Sequence, residues 1–360
     1  MRPYLGLRWI AAAALCAGLA GCSTVGYYWQ AALGQWQVQT AARPLETVLA
    51  DPATGPGLRA RLKTARGVRE YASRALSLPD NGSYRRYADL KRPYVVWNVF
   101  AAAEFSAQPR QWCFPVAGCV TYKGWFEEAA AQRFARQLAG QGHDVFVYGV
   151  PAYSTLGWFD DPLLNTFMHY PRAEVARLVF HELAHQVAYA PGDSTFNESF
   201  ATAVELDGVR RWLEREGTAG ELADFEAMRR RREGFVALVE GTRARLAALY
   251  AQALEPSAMR EAKAHVFAEM RAGYEALKRD WGGFAGYDRW FAQPLGNAHL
   301  ASVAVYTQQV PAFEALLAAC GGEHGRFHAA ARRLAKLPEE GRAAALARLA
   351  AGGGADCPGR

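Results

Sequence analysis

The stretch from Pro171 to Tyr189 constrains this chain more than any other, because it sets two histidines one helical turn apart inside an apolar run. A proline at the start, Glu174 in the first turn and an unbroken series of helix formers predict a helix. On that helix His181 and His185 project from one face, so both imidazoles can reach a single ion. Leu178, Val179, Phe180, Leu183 and Val187 surround them. Two imidazoles buried there without a partner would be costly, which argues for a metal over a solvated histidine face. Zinc accepts imidazole nitrogen and, in catalytic sites, keeps one position open for water. Glu182, directly after the first histidine, is placed to act on that water as general base. The expectation is one zinc per chain.

The third ligand is less constrained. A metzincin would need glycine at 188 and histidine at 191; the chain has Ala188 and Pro191, which excludes that branch. Pro191-Gly192-Asp193 turns the chain, and a second helix is predicted to start near Ser194 or Thr195. It offers two carboxylates seven apart, Glu198 and Glu205, close to one face. Thr195 to Glu198 also reads as a capping box, in which Glu198 would only close the helix start. The Asn197-Glu198 pair resembles the third-ligand motif of the gluzincins, although it follows His185 sooner than usual there. That resemblance favours Glu198 as ligand and leaves Glu205 to orient a histidine N–H, or to replace Glu198.

The first residues are expected to be a leader. Arg2 and Arg8 precede an apolar run from Trp9 to Ala20, too short to span a bilayer, and Leu19-Ala20-Gly21-Cys22 closes it. This looks like a lipobox, with residues 1–21 a signal peptide and Cys22 lipidated as the first mature residue. Ser23 rather than aspartate follows, which resembles the signal for the outer membrane. The expected location is the periplasmic face of the outer membrane, held by a lipid anchor. Four further cysteines remain after export, an even number in an oxidising compartment with no CxxC spacing. Disulfides Cys113–Cys119 and Cys320–Cys357 are therefore expected.

Charge adds little. Of 41 Lys and Arg, two fall in the leader, against 35 acidic residues. The basic run Arg229 to Arg232 lies in a helical pattern with Glu226 and Glu233 and without aromatic interleaving, so no nucleic-acid partner is expected. Helices are predicted over Tyr27 to Leu49, Leu58 to Leu78 and Gly124 to Ala139. Strands are predicted over Tyr94 to Phe100 and Asp144 to Val150, with Ala152 to Phe159 as a hairpin partner or edge strand. After Pro171 nearly everything reads as helix. The fold class is α+β, predominantly helical, with a small early sheet. Residues 22–360 read as one domain, with active-site helices over about 171–210 and a helical part over about 219–350.

The strings FHELAHQ and GDSTFNESFATAVE, with SYRRYADLKRPYVVWNV, WCFPVAGCV and GVPAYSTLGWFDDPLL upstream and NAHLASVAVYTQQVPAF late, resemble the bacterial family labelled predicted or putative aminopeptidases. The resemblance covers roughly residues 22 to 340. It implies a zincin-like zinc peptidase acting on peptide or protein substrates. Such an enzyme needs a donor for the tetrahedral oxyanion. Tyr306 and His299, seven apart on a late helix, are the candidates, with Tyr306 preferred. Ala152 to Trp158 is the candidate edge strand for holding substrate. Glu104, Asp160 and Asp161 are available to neutralise a substrate α-ammonium, although the GxMEN motif of the large zinc aminopeptidases is absent. Competing readings are a zinc endopeptidase of envelope proteins, a non-catalytic zinc-containing peptide-binding lipoprotein, and a hydrolase of cell-wall peptides.

Overall fold

The computed structural model describes residues 24–115, 118–304, 309–353 and 357. It is α+β and mostly helical, as expected, with 60% of the chain in helices. Helix α1 covers 24–41, followed by β1 (Arg43–Pro44), α2 (Leu45–Ala50) and α3 (Pro56–Leu76). The predicted helix over Tyr27 to Leu49 is thus broken in two. Pro44 lacks the N–H a continuing helix needs, and instead takes the N-cap of α2.

Next come β2 (Arg86–Ala88), β3 (Val96–Ala103), β4 (Trp112–Phe114), β5 (Gly118–Val120) and β6 (Tyr122–Trp125). Helix α4 (Glu128–Ala139), β7 (His143–Val150) and β8 (Leu163–Leu164) complete the first half. The helix predicted from Gly124 begins only at Glu128, because Gly124 and Trp125 belong to strand β6. The segment Ala152 to Phe159 is not a strand. Leu156 and Gly157 have φ of 56° and 81°, and Trp158 N–H donates to the Thr155 carbonyl at 3.0 Å. That turn breaks the alternation a strand requires.

Strand β3 pairs antiparallel with both β6 and β7, giving the order β6-β3-β7. Asn98 lies between Gly124 and Tyr148, and Phe100 between Tyr122 and Phe146. These residues share one face. The other face, with Trp97, Val99 and Ala101, packs on Ala131, Ala135 and Leu138 of α4. Both faces being covered explains why Val96 to Ala102 is buried throughout, polar Asn98 included.

The main core lies beneath the other face of the site, where α5 (Arg172–Ala184) and α6 (Ser194–Glu216) pack on each other and on α3. Helix α5 ends earlier than predicted, with His185 as its C-cap in right-handed helical geometry. The remaining helices are α7 (Ala219–Tyr250), α8 (Pro256–Asp280), α9 (Asp288–Phe291), α10 (Asn297–Ala304), α11 (Val310–Ala319), α12 (His324–Ala335) and α13 (Glu339–Ala350). A true capping box, Thr218 with Glu221, starts α7. Helices α7 and α8 form a hairpin whose own core includes Phe235, Val239, Met270 and Phe291.

Disulfides join Cys113 to Cys119 and Cys320 to Cys357. The first closes the β4–β5 hairpin, which rests on the turn between α5 and α6. Gly118 sits there at φ 73°, and a Cβ on it would fall 2.4 Å from the Gly192 nitrogen. Only glycine tolerates both the conformation and the approach.

Candidate metal centre

Helix α5 puts Glu174, Arg177, His181 and His185 on one line of side chains three or four residues apart, facing α6. His181 Nε2 and His185 Nε2 lie 3.2 Å apart. Glu198 Oε2, from α6, is 3.1 Å from His181 Nε2 and 3.8 Å from His185 Nε2. These three residues form the metal-competent cluster among the described residues. Zinc with bonds of about 2.0–2.1 Å has tetrahedral ligand–ligand edges of about 3.3–3.4 Å. Two of the three edges here come within a few tenths of an ångström of that, and the third is somewhat longer. Two imidazoles and a carboxylate are also a donor set zinc accepts, so the residues fit the ion.

Glu198 is free for this because Asp193, not Thr195, caps α6. Its Oδ1 accepts from Phe196 N–H at 2.9 Å, and its Oδ2 accepts from Arg342 Nε at 2.7 Å. The residue before Glu198 is structural. Asn197 accepts from Ala190 N–H at 2.7 Å and donates to the Ala190 carbonyl at 2.9 Å. It thereby clips the inter-helix turn to α6 and fixes the direction in which Glu198 leaves the helix.

Glu205 lies on the far side of His181. Its Oε2 accepts from Nδ1 at 2.9 Å, which leaves Nε2 facing Glu198 and His185. The same carboxylate accepts from Arg177 at 3.0 Å and from Arg232 of α7 at 3.3 Å. Burial works to raise Glu205, but Arg177 and His181 outweigh it and hold the group at about 2. Arg177 also donates to Glu174 at 2.7 Å. His185 Nδ1 has no comparable partner among the described residues.

Burial acts against charge on His181, yet Glu198 and Glu205 beside it raise it to about 10; burial takes His185 down to about 4. Glu198 is held below the ordinary carboxylate range because the two histidines outweigh its burial. Glu182 is raised to about 8, chiefly by burial. A carboxyl with its proton affinity near neutrality is suited to exchanging protons with substrate.

The cluster opens into a cavity of about 810 Å³ between α5 and the inner face of the sheet. Phe100, Tyr122, Phe146, Tyr148, Phe235 and Trp290 give it an aromatic lining, and Tyr27 of α1 closes part of its rim. Asn98, 7% exposed, faces this space, and its carboxamide makes no hydrogen bond among the described residues. Gly124 beside it keeps the approach open, since a Cβ there would lie 3.2 Å from Asn98 Oδ1. Sequence reasoning missed Asn98, Tyr122, Tyr148, Arg177 and Arg232. Arg177 alone had a visible signal, lying four residues before His181.

Other expectations fare differently. His299 is in the wall, not the cavity. Its Nδ1 accepts from Gly296 N–H at 3.2 Å and its ring stands 4.2 Å from that of Phe146, with burial lowering it to about 4. Glu104 is paired with Arg260 at 2.6 Å, and neither it nor Asp160 nor Asp161 lines the cavity. Tyr306 and Cys22 lie outside the described residues.

A family model described as putative aminopeptidase matches residues 26–346. The chain belongs to that family. No curated protein and no solved structure matches the chain. The family's description is that of a peptidase, and its span includes every residue of the α5–α6 cluster.

Proposed function

We propose that the chain is a zinc-dependent peptidase in which His181, His185 and Glu198 hold one zinc and Glu182 is the general base. The observation that carries this is the convergence of two imidazoles and a carboxylate at tetrahedral spacing, with a proton-competent carboxyl next to them at a substrate-sized cavity. When bound, zinc supplies Lewis acidity that polarises a peptide carbonyl and makes water easier to deprotonate. Glu182 takes the proton of the attacking water on its carboxylate and passes it to the departing amide nitrogen. Glu205 keeps the proton of His181 on Nδ1, so that Nε2 offers its lone pair. Asn98 binds the substrate main chain, and the aromatic lining shields the reacting groups from bulk water. The reading extends to a bacterial envelope enzyme anchored through Cys22, with peptides or proteins as substrates.

The family's description favours removal of N-terminal residues. An endopeptidase is the second reading, for one reason. The acidic residues lining the described cavity are Glu182 and Glu198, both already engaged, which leaves no carboxylate for a terminal ammonium. The test compares the parent with Glu182→Gln for bound zinc and for hydrolysis of a peptide library read by mass. The parent is expected to bind one zinc and cut, and the variant to keep zinc and stop cutting. A parent without zinc overturns the reading. Cleavage of N-terminally acetylated peptides decides for the endopeptidase.

A further inference from the structure

Helix α1 is apolar on both sides, with Tyr27, Ala31 and Val38 turned inward. Gln30, Gly34 and Gln35 lie on the side that packs on the protein, with Gln30 Nε2 donating to the Gly124 carbonyl at 3.4 Å and accepting Phe126 N–H through Oε1 at 3.1 Å. The outward side carries Val25, Tyr28, Trp29, Ala32, Leu33 and Trp36, a single stripe at helical spacing. Trp29 is 66% exposed and Trp36 63%. Of the eleven large hydrophobic residues exposed in the described chain, five fall on this one helix. From Thr24 to Ala41 the sequence contains no Asp, Glu, Lys or Arg. Scattered apolar residues on a surface need no explanation, but a contiguous aromatic stripe on an uncharged helix does.

We infer that the outward face of α1 is a docking surface for a phospholipid bilayer, on which the helix lies in the interfacial plane. Two observations choose this occupant. Tryptophan and tyrosine with valine and leucine are the side chains that settle at the headgroup–acyl boundary. The stripe begins three residues after Cys22, so the expected lipid anchor would stand directly beside it. No described helix is long and apolar enough to cross a membrane.

The loop beside the far end of the helix carries two further exposed aromatic residues. Gln39 Nε2 donates to the Asp160 carbonyl at 3.4 Å, and the two residues before Asp160, Trp158 and Phe159, are exposed. On its inward side α1 contributes Tyr27 and Ala31 to the cavity lining, so the helix stands between bilayer and cleft. The docking is independent of acylation and of the peptidase reading.

The test uses a chain beginning at Ser23, which retains every described residue and lacks Cys22. Co-sedimentation with vesicles of phosphatidylethanolamine and phosphatidylglycerol measures its partitioning, beside the double variant Trp29→Ser, Trp36→Ser and the single variant Trp158→Ser. The parent should bind, its binding should persist in high salt because the stripe is uncharged, and the double variant should bind roughly tenfold more weakly or worse. Trp158→Ser should fall between them. Unchanged unfolding temperatures in the variants exclude misfolding as the cause. No binding by the parent, equal binding by the double variant, or loss of binding in salt would overturn the inference. So would a dimer that dissociates in the double variant without any vesicle binding.

Discussion

Glu205→Gln and Glu198→Gln should fail in opposite ways, and the contrast tests which carboxylate holds the metal. Zinc binding by four-ligand sites is worth about 10–16 kcal/mol, hence about 2.5–4 kcal/mol per ligand. Removing a ligand therefore costs about sixtyfold to seven-hundredfold in affinity. Glu205 touches Nδ1 of His181, the nitrogen turned away from the cluster, and losing such an orienting partner costs about 10–100-fold. Stability should reverse the order. Glu205 has no exposed surface and answers both Arg177 and Arg232, so the amide leaves two guanidinium groups undercompensated. Breaking a buried ion pair costs about 3–5 kcal/mol. Glu198 has no arginine partner, and its loss should leave unfolding of the metal-free protein within about 1–2 kcal/mol of the parent. The assays are zinc competition with a chromophoric chelator and urea unfolding of the metal-free proteins. A Glu205→Gln protein with the weaker zinc affinity and the better stability would refute the assignment.

Three further outcomes follow from the structure. Asn98→Leu should lower kcat/KM on peptides by about tenfold, the worth of one or two hydrogen bonds, while leaving the unfolding temperature near the parent's, because the carboxamide faces the cavity and ties no other part of the fold; unchanged kinetics would exclude Asn98 from substrate binding. Burial raises the Asp161 carboxyl to about 6, so its contribution is fully present below about pH 4 and is lost as pH rises through about 6. Asp161→Asn should therefore gain on the parent by about 2–3 kcal/mol between pH 4 and 8, and a pH-independent difference would contradict this. Cys320 and Cys357 close a loop of 37 residues, so Cys320→Ser with Cys357→Ser should cost about 3–4 kcal/mol by loop entropy, read as a lower denaturant midpoint.

The residues of the cluster were legible because one helix carries two of them at a spacing that fixes their direction, and the next helix offers only two carboxylates on the facing side. What was not legible depends on contacts between segments far apart in sequence. Asn98 reads as one polar residue in an apolar strand until its register against Gly124 and Tyr148 shows which face it occupies. Arg232 looked like part of a solvated basic run, and only the passage of α7 across α6 brings it to Glu205. Thr195 matched a capping box in letters, but the turn made by Pro191 and Gly192 delivers Asp193 to the cap first. Ala152 to Phe159 reads as a hairpin partner or edge strand beside Asp144 to Val150, but the chain turns at Leu156 and Gly157.

Gly118 contributes no side chain to the cluster, yet the turn leading into Asp193 and Glu198 rests against its bare backbone. A methyl group there would meet main chain, which cannot swing aside as a flexible side chain can. In evolutionary terms the hairpin and the turn are locked together: position 118 cannot drift unless the segment carrying Glu198 drifts with it. Randomising only the residues that face the cleft would never find that position, although it governs where a carboxylate stands.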